Sequence, residues 1–230
     1  MVEAVIFDWG GTLTPWKTFD PAEEWLALAR AAAPDRAEEA AAALAAAADD
    51  AWARSRSEHR SGTFAEVCAA AEVVVDETHH RAYRDHLEFA TWTDPDVAPM
   101  LTTLRDGGIR VGLLSNTLWP REWHEEWLAR DGVLDLFDGA VYTSEIPWTK
   151  PHPKAFVAAM DAVGVADPAH CVFVGDRLFD DIYGAQNAGM RTVHLPHSAV
   201  PESQFGHTDG EPDAVVQRLA EIPGVIQPWR

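Results

Sequence analysis

The sequence predicts an α/β protein: a parallel sheet with helices on both faces, interrupted by an inserted block of helices. Three observations lead to this reading. The first apolar run, in VIFDWGGTLT (residues 5–14), stops abruptly on Asp8. Residues 21–90 carry helical patterning throughout, and beyond them short apolar runs alternate with helical stretches. Alternation of that kind implies crossover connections and a parallel sheet covered on both sides.

Taken in order, the opening run reads as a buried strand, and the glycines after Asp8 read as a tight turn. PAEEWLALARAAA begins with proline at a favoured first-turn position, and RAEEAAAALAAAADDAWARSRSEHR is alanine-rich with acids early and arginines late. Residues 21–90 are thus expected to be almost continuous helix. Asp94-Pro95 starts a further helix on which Val97, Met100, Leu101 and Leu104 share a face, and Gly107-Gly108 ends it before the strand IRVGLLS. GAVYT (139–143), CVFVG (171–175) and TVHL (192–195) read as strands, with PKAFVAAMDAVG and DIYGAQNAGM as helices between them. Trp119, Trp123 and Trp127 recur at helical spacing and are expected to pack. The tail EIPGVIQPWR carries no chemical signal, and nothing indicates an oligomeric state.

At 47% hydrophobic and 24% charged, the chain can bury a substantial core. Its formal charge of -19 and pI near 4.7 repel phosphate backbones and anionic headgroups, so no nucleic-acid partner and no membrane partner is expected. No apolar run is long enough to span a bilayer, no secretory segment precedes the first strand, and both cysteines, Cys68 and Cys171, lie in apolar or helical contexts. A cytoplasmic protein with reduced thiols is the expectation.

In an open parallel sheet, ligands bind beyond the carboxyl ends of the strands. There the sequence places Asp8, Ser115-Asn116 and Asp176, with Asp181 a turn later and Lys150 in the loop after GAVYT. Asp8, Asp176 and Asp181 would concentrate negative charge, which calls for a hard divalent cation with oxygen ligands, Mg²⁺ in the first place. Lys150 and the Ser115 hydroxyl suit an anionic phosphoryl group beside that metal, and Asp8 could then attack phosphorus in line, forming an aspartyl-phosphate.

These residues resemble the haloacid dehalogenase superfamily of hydrolases. FDWGGTL is similar to its first motif, LLSN to its second, KPHP to its third and VGDRLFDDIYGAQNAGM to its fourth, in the family's order. The resemblance implies a Rossmann-like core (1–15 and 91–230), a helical cap (16–90), Mg²⁺, and phosphomonoester hydrolysis on a small phosphorylated metabolite. It implies that Asp8 is nucleophile and metal ligand, that the Gly10 carbonyl and Asp176 are further ligands, and that Asp181 supports the metal through water. Thr12, Ser115 and Lys150 would hold the phosphoryl group, with Asn116 lining the pocket. Substrate selection is assigned to the insert and the turn after Asp8, where Trp16, Lys17, Trp25, Trp52, Arg54, Arg56, His59 and Arg60 can stack on or pair with an anion.

The chain departs from the family at Gly10, where phosphatases usually carry a second aspartate that protonates the leaving oxygen and then activates water. Such assistance is worth about 10²–10⁴-fold. Four readings stay open. The first is a phosphatase whose proton comes from the cap (Asp20, Glu24, Glu58 or His59), from water or from the substrate. The second is a phosphonate hydrolase, which the absence of any lysine from residues 21–90 disfavours. The third is a 2-haloacid dehalogenase, which the retained Asp176 and Asp181 disfavour. The fourth is a weakly active or non-catalytic member that binds a metabolite or a protein.

Overall fold

The computed structural model describes residues 1–17, 21–196 and 209–230. Strands β1 (Ala4–Phe7), β2 (Arg110–Ser115), β3 (Gly139–Tyr142), β4 (Cys171–Gly175), β5 (Arg191–His194) and β6 (Ala214–Val215) form one sheet in the order β3-β2-β1-β4-β5-β6. Every pairing is parallel. β1 is buried along its whole length because both faces are covered. Alternate side chains still part company: Val5 and Phe7 join one apolar cluster, whereas Ala4 and Ile6 join another with Leu114, Phe156, Met160 and Phe173.

Between β1 and α5 (Val97–Asp106) lie helices α1 (Pro21–Ala32), α2 (Ala37–Glu58), α3 (Phe64–Ala70) and α4 (Glu77–Leu87). Their apolar faces belong to the same cluster as Val5 and Phe7, with Leu28, Leu44, Phe64 and Tyr83 among its members. Burial in α2 follows Ala40, Ala41, Leu44, Ala48, Ala51 and Ser55, one stripe of a long alanine-rich helix. The core helices α6 (Arg121–Arg130), α7 (Pro153–Ala162), α8 (Gly184–Asn187) and α9 (Ile222–Ile226) complete the chain. No helix among the described residues is long and apolar enough to cross a membrane.

Three expectations need correction. The insert is not near-continuous helix. A 3₁₀ turn at Pro34–Arg36 separates α1 from α2, His59 adopts a left-handed conformation (φ 54°) that ends α2, and capping boxes at Thr63 and Asp76 start new helices. Those caps satisfy exposed N–H groups locally, which favours restarting a helix over prolonging one. The helix read at DIYGAQNAGM is instead a π-helical turn, Leu178–Tyr183, followed by the short α8. α5 begins at Val97, two residues beyond Pro95, with the Asp94 carboxylate accepting from Asp96 N and its carbonyl accepting from Val97 N. The unassigned tail buries Ile222 and Ile226, and β6 precedes it.

Candidate active site

The sheet order departs from β1 in two directions, so the crevice beyond the carboxyl ends of β1 and β4 is the topological switch point where ligands bind in open α/β sheets. Asp8 follows β1 and Asp176 follows β4, the two strands that flank this crevice. The Asp8 backbone N–H donates to Val174 O at 2.9 Å, locking the two strand ends in register. Both carboxylates are therefore placed by the sheet itself.

Lys150 ties the cluster together. Its ammonium is almost fully buried and lies 2.6 Å from Asp8 Oδ1 and 2.6 Å from Asp181 Oδ1. Burial alone would lower its pKa, but the Asp181 and Asp8 carboxylates outweigh burial and hold the ammonium charged. Asn116 accepts from Lys150 N at 2.8 Å and donates to Lys150 O at 3.0 Å, so its amide braces the loop that carries the lysine. Thr12 Oγ1 donates to Asp8 Oδ2 at 3.2 Å and orients that carboxylate. Asp181 also accepts from the Arg177 backbone N–H at 2.9 Å, across the π-helical turn. Ser115 is buried at the end of β2.

One oxygen each from Asp8, Asp176 and Asp181 lies within 4.8 Å of the others. Burial pushes the Asp8 and Asp176 carboxyls up, Asp176 to about 8, with neighbouring carboxylates adding to the effect against Lys150 and Arg177. Asp176 Oδ1 is buried with no hydrogen-bond partner among the described residues. The Lys150 ammonium and the Arg177 guanidinium face three carboxylates and leave the cluster under-neutralised, and an all-oxygen donor set with one ligand atom unsatisfied among the described residues fits a small hard divalent cation. The half-buried Gly10 lies two residues from Asp8. An added Cβ there would meet nothing within 4 Å. Gly11 is different: its φ is +88°, and a Cβ would fall 2.0 Å from Trp16 Nε1 and 2.3 Å from Asp176 Oδ2.

The remaining assignments divide. Trp16 is not a free stacking surface: its indole N–H donates to Asp176 Oδ2 at 2.9 Å. His59 reaches the site's margin, since its carbonyl accepts from Thr149 N at 3.0 Å, next to Lys150, and its buried Nδ1 has no hydrogen-bond partner among the described residues. Arg54 and Arg56 are exposed on α2 and have no hydrogen bond to the Asp8–Lys150 cluster among the described residues. Trp25 is buried between Phe64 and Tyr83, where it packs and is removed from any ligand. Glu24 is held inside the fold by the Tyr83 hydroxyl, which donates to it, and burial lifts its carboxyl to about 7. Glu58 is exposed and faces Arg60, and Asp20 lies outside the described residues. Two residues at the site escaped the sequence reading. The carboxyl of Asp180 is raised by burial, opposed by the Lys150 and Arg177 charges, and Arg177 lies 3.5 Å from Asp176. The doubled acid in FDD was the available signal for Asp180.

A six-stranded parallel sheet with acidic strand ends, a buried lysine at its switch point and a helical block after the first strand defines a Rossmann-like α/β protein. A haloacid dehalogenase-like hydrolase family model matches residues 2–189, and the chain belongs to that family. It is 37% identical over 133 residues to the glyceraldehyde 3-phosphate phosphatase of Methanopyrus kandleri, covering 58% of this chain and 56% of the relative. It is 35% identical over 136 residues to the N-acylneuraminate-9-phosphatase of Rattus norvegicus, covering 58% of this chain and 52% of the relative. The match thus spans about half the length of these curated relatives. Among solved structures, a 2-haloacid dehalogenase from Pseudomonas syringae superposes with a TM-score of 0.68 at 24% identity over 100% of both chains. A phosphatase of the same superfamily from Thermococcus onnurineus gives 0.66 at 24% over 98% of both. At such identities these two report the fold alone.

Proposed function

We propose that the protein is a Mg²⁺-dependent phosphomonoester hydrolase acting on a small phosphorylated metabolite, with Asp8 as nucleophile and the helices of residues 16–90 as a cap over the site. The observation that carries this reading is the convergence of Asp8, Asp176 and Asp181 around Lys150 at the switch-point crevice. The phosphatase relatives favour this chemistry over the other activities of the superfamily.

Asp8, Asp176 and Asp181 would hold the metal, with the Gly10 carbonyl as a further ligand. The bound cation would supply charge neutralisation for the phosphoryl oxygens and for the approaching carboxylate. Asp8, oriented by Thr12, attacks phosphorus; the Asp8–phosphorus bond forms as the ester oxygen departs, and water later cleaves the aspartyl-phosphate to inorganic phosphate. Lys150 opposes the rise that burial imposes on the Asp8 carboxyl and faces the developing phosphoryl charge during transfer. Ser115 contributes a hydroxyl to the same anion. With glycine at position 10, no side chain there protonates the leaving oxygen, so good leaving groups should react disproportionately fast.

A panel of phosphomonoesters and acyl phosphates assayed with and without Mg²⁺ tests the proposal, with Asp8→Asn as the inactive control. Metal-dependent phosphate release lost in Asp8→Asn supports it; metal-independent halide release from 2-haloacids, with no phosphate release, sinks it. Position 10 has room for a Cβ, and in Gly10→Asp a rate gain concentrated on poor leaving groups identifies the missing proton as the handicap.

A further inference from the structure

Trp16 sits where the chain leaves the turn after Asp8 and heads into the helical insert. Its indole is held in three ways. The N–H donates to Asp176 Oδ2 at 2.9 Å, the Arg177 guanidinium lies over the ring at 5.3 Å, and Gly11 leaves the space that the ring occupies. Asp176 therefore uses one oxygen on Trp16 while the other, Oδ1, is buried and has no hydrogen-bond partner among the described residues. A carboxylate pinned through one oxygen presents the other in a fixed direction. Partners that orient metal-binding side chains in this way typically matter about 10–100-fold for metal affinity.

We infer that Trp16 is a positioning residue for the metal site: its N–H fixes the Asp176 carboxylate so that the unpartnered Oδ1 faces the cation. The inference rests on the proposed cation site, and it makes Gly11 a companion requirement, because any side chain at that position would separate the indole from the carboxylate. Trp16 acts through Asp176 and is not itself a ligand in this assignment. Its contribution is angular, and it costs less to immobilise a ligand before metal arrives than at the moment of binding.

Direct Mg²⁺ titration by calorimetry, without substrate, tests this. Trp16→Phe and Trp16→Leu both remove the donor, while only the first keeps an aromatic surface beneath Arg177. Both should weaken Mg²⁺ binding about tenfold, at the lower end of the expected range, with thermal midpoints near wild type. Trp92→Phe, at an exposed tryptophan on the other side of α4, should leave the affinity unchanged. Loss in Trp16→Leu alone would assign the effect to ring packing and overturn the inference. So would unchanged affinity in both variants, and so would tighter binding, which would make the indole a competitor of the cation. If wild type takes up no Mg²⁺, the proposed function falls with the inference; if it does and the variants match it, only the inference falls.

Discussion

At Lys150, a single ammonium bridges two buried carboxylates, Asp8 and Asp181, and opposes the rise that burial imposes on Asp8. Replacing it by methionine removes the charge and leaves Asp8 and Asp181 uncompensated. Breaking a buried pair in this way typically costs about 3–5 kcal/mol, so Lys150→Met should lower the urea midpoint markedly. Added Mg²⁺ should restore part of the loss, because the cation neutralises the same oxygens. Gly175 offers a complementary test. An added Cβ would lie 2.3 Å from Asp181 Cγ, so Gly175→Ala must displace Asp181 from Lys150. The expected outcome is a protein that folds less stably and binds Mg²⁺ more weakly than wild type, measured by thermal melting and calorimetry.

The insert is fastened to the core at its turns as well as through its helices. Ser55, in the last turn of α2, donates to Thr149 Oγ1 at 3.0 Å, and the next residue after Thr149 is Lys150. α3 starts on the Thr63 capping box, and Phe64 N donates to Leu118 O at 2.6 Å on the core side. Thr63→Ala should cost about 1 kcal/mol, as loss of an N-cap generally does, read from urea denaturation. Ser55→Ala should change KM more than stability, because it loosens the join between α2 and the loop carrying Lys150. An unchanged KM would separate the insert from substrate binding.

Across the whole molecule, an aromatic seam joins insert and core: Phe64 and Tyr83 pack on Trp123, and Trp119 Nε1 donates to the Tyr83 hydroxyl at 3.1 Å. Glu24 is half-buried at this seam and accepts from Tyr83, with its carboxyl lifted by desolvation from 4.5 to about 7. The folded protein therefore keeps the Glu24 proton through a pH range in which the unfolded chain has released it. Stability falls as pH rises from 4.5 to about 7 and is level above that. The magnitude is about 3 kcal/mol at most by linkage. Glu24→Gln keeps an acceptor for Tyr83 and should remove this slope, so its melting temperature should gain on wild type between pH 5 and pH 8. A parallel pH profile for the two proteins would count against the buried acid.

The sequence by itself determined the alternation of strand and helix, the acidic and lysine-bearing strand ends and the family, because each is written in short contiguous stretches whose period and terminators are local. Asp8, Asp176, Asp181 and Lys150 were legible for that reason. Only the tertiary structure decided that Trp16 bonds Asp176, 160 residues away, that Asn116 grips the backbone of Lys150, that Trp25 is interior and that Glu24 is paired with Tyr83. Those outcomes depend on which faces meet once the insert folds back onto the sheet. No local pattern encodes a hydrogen bond between segments that become neighbours only through burial of a shared core.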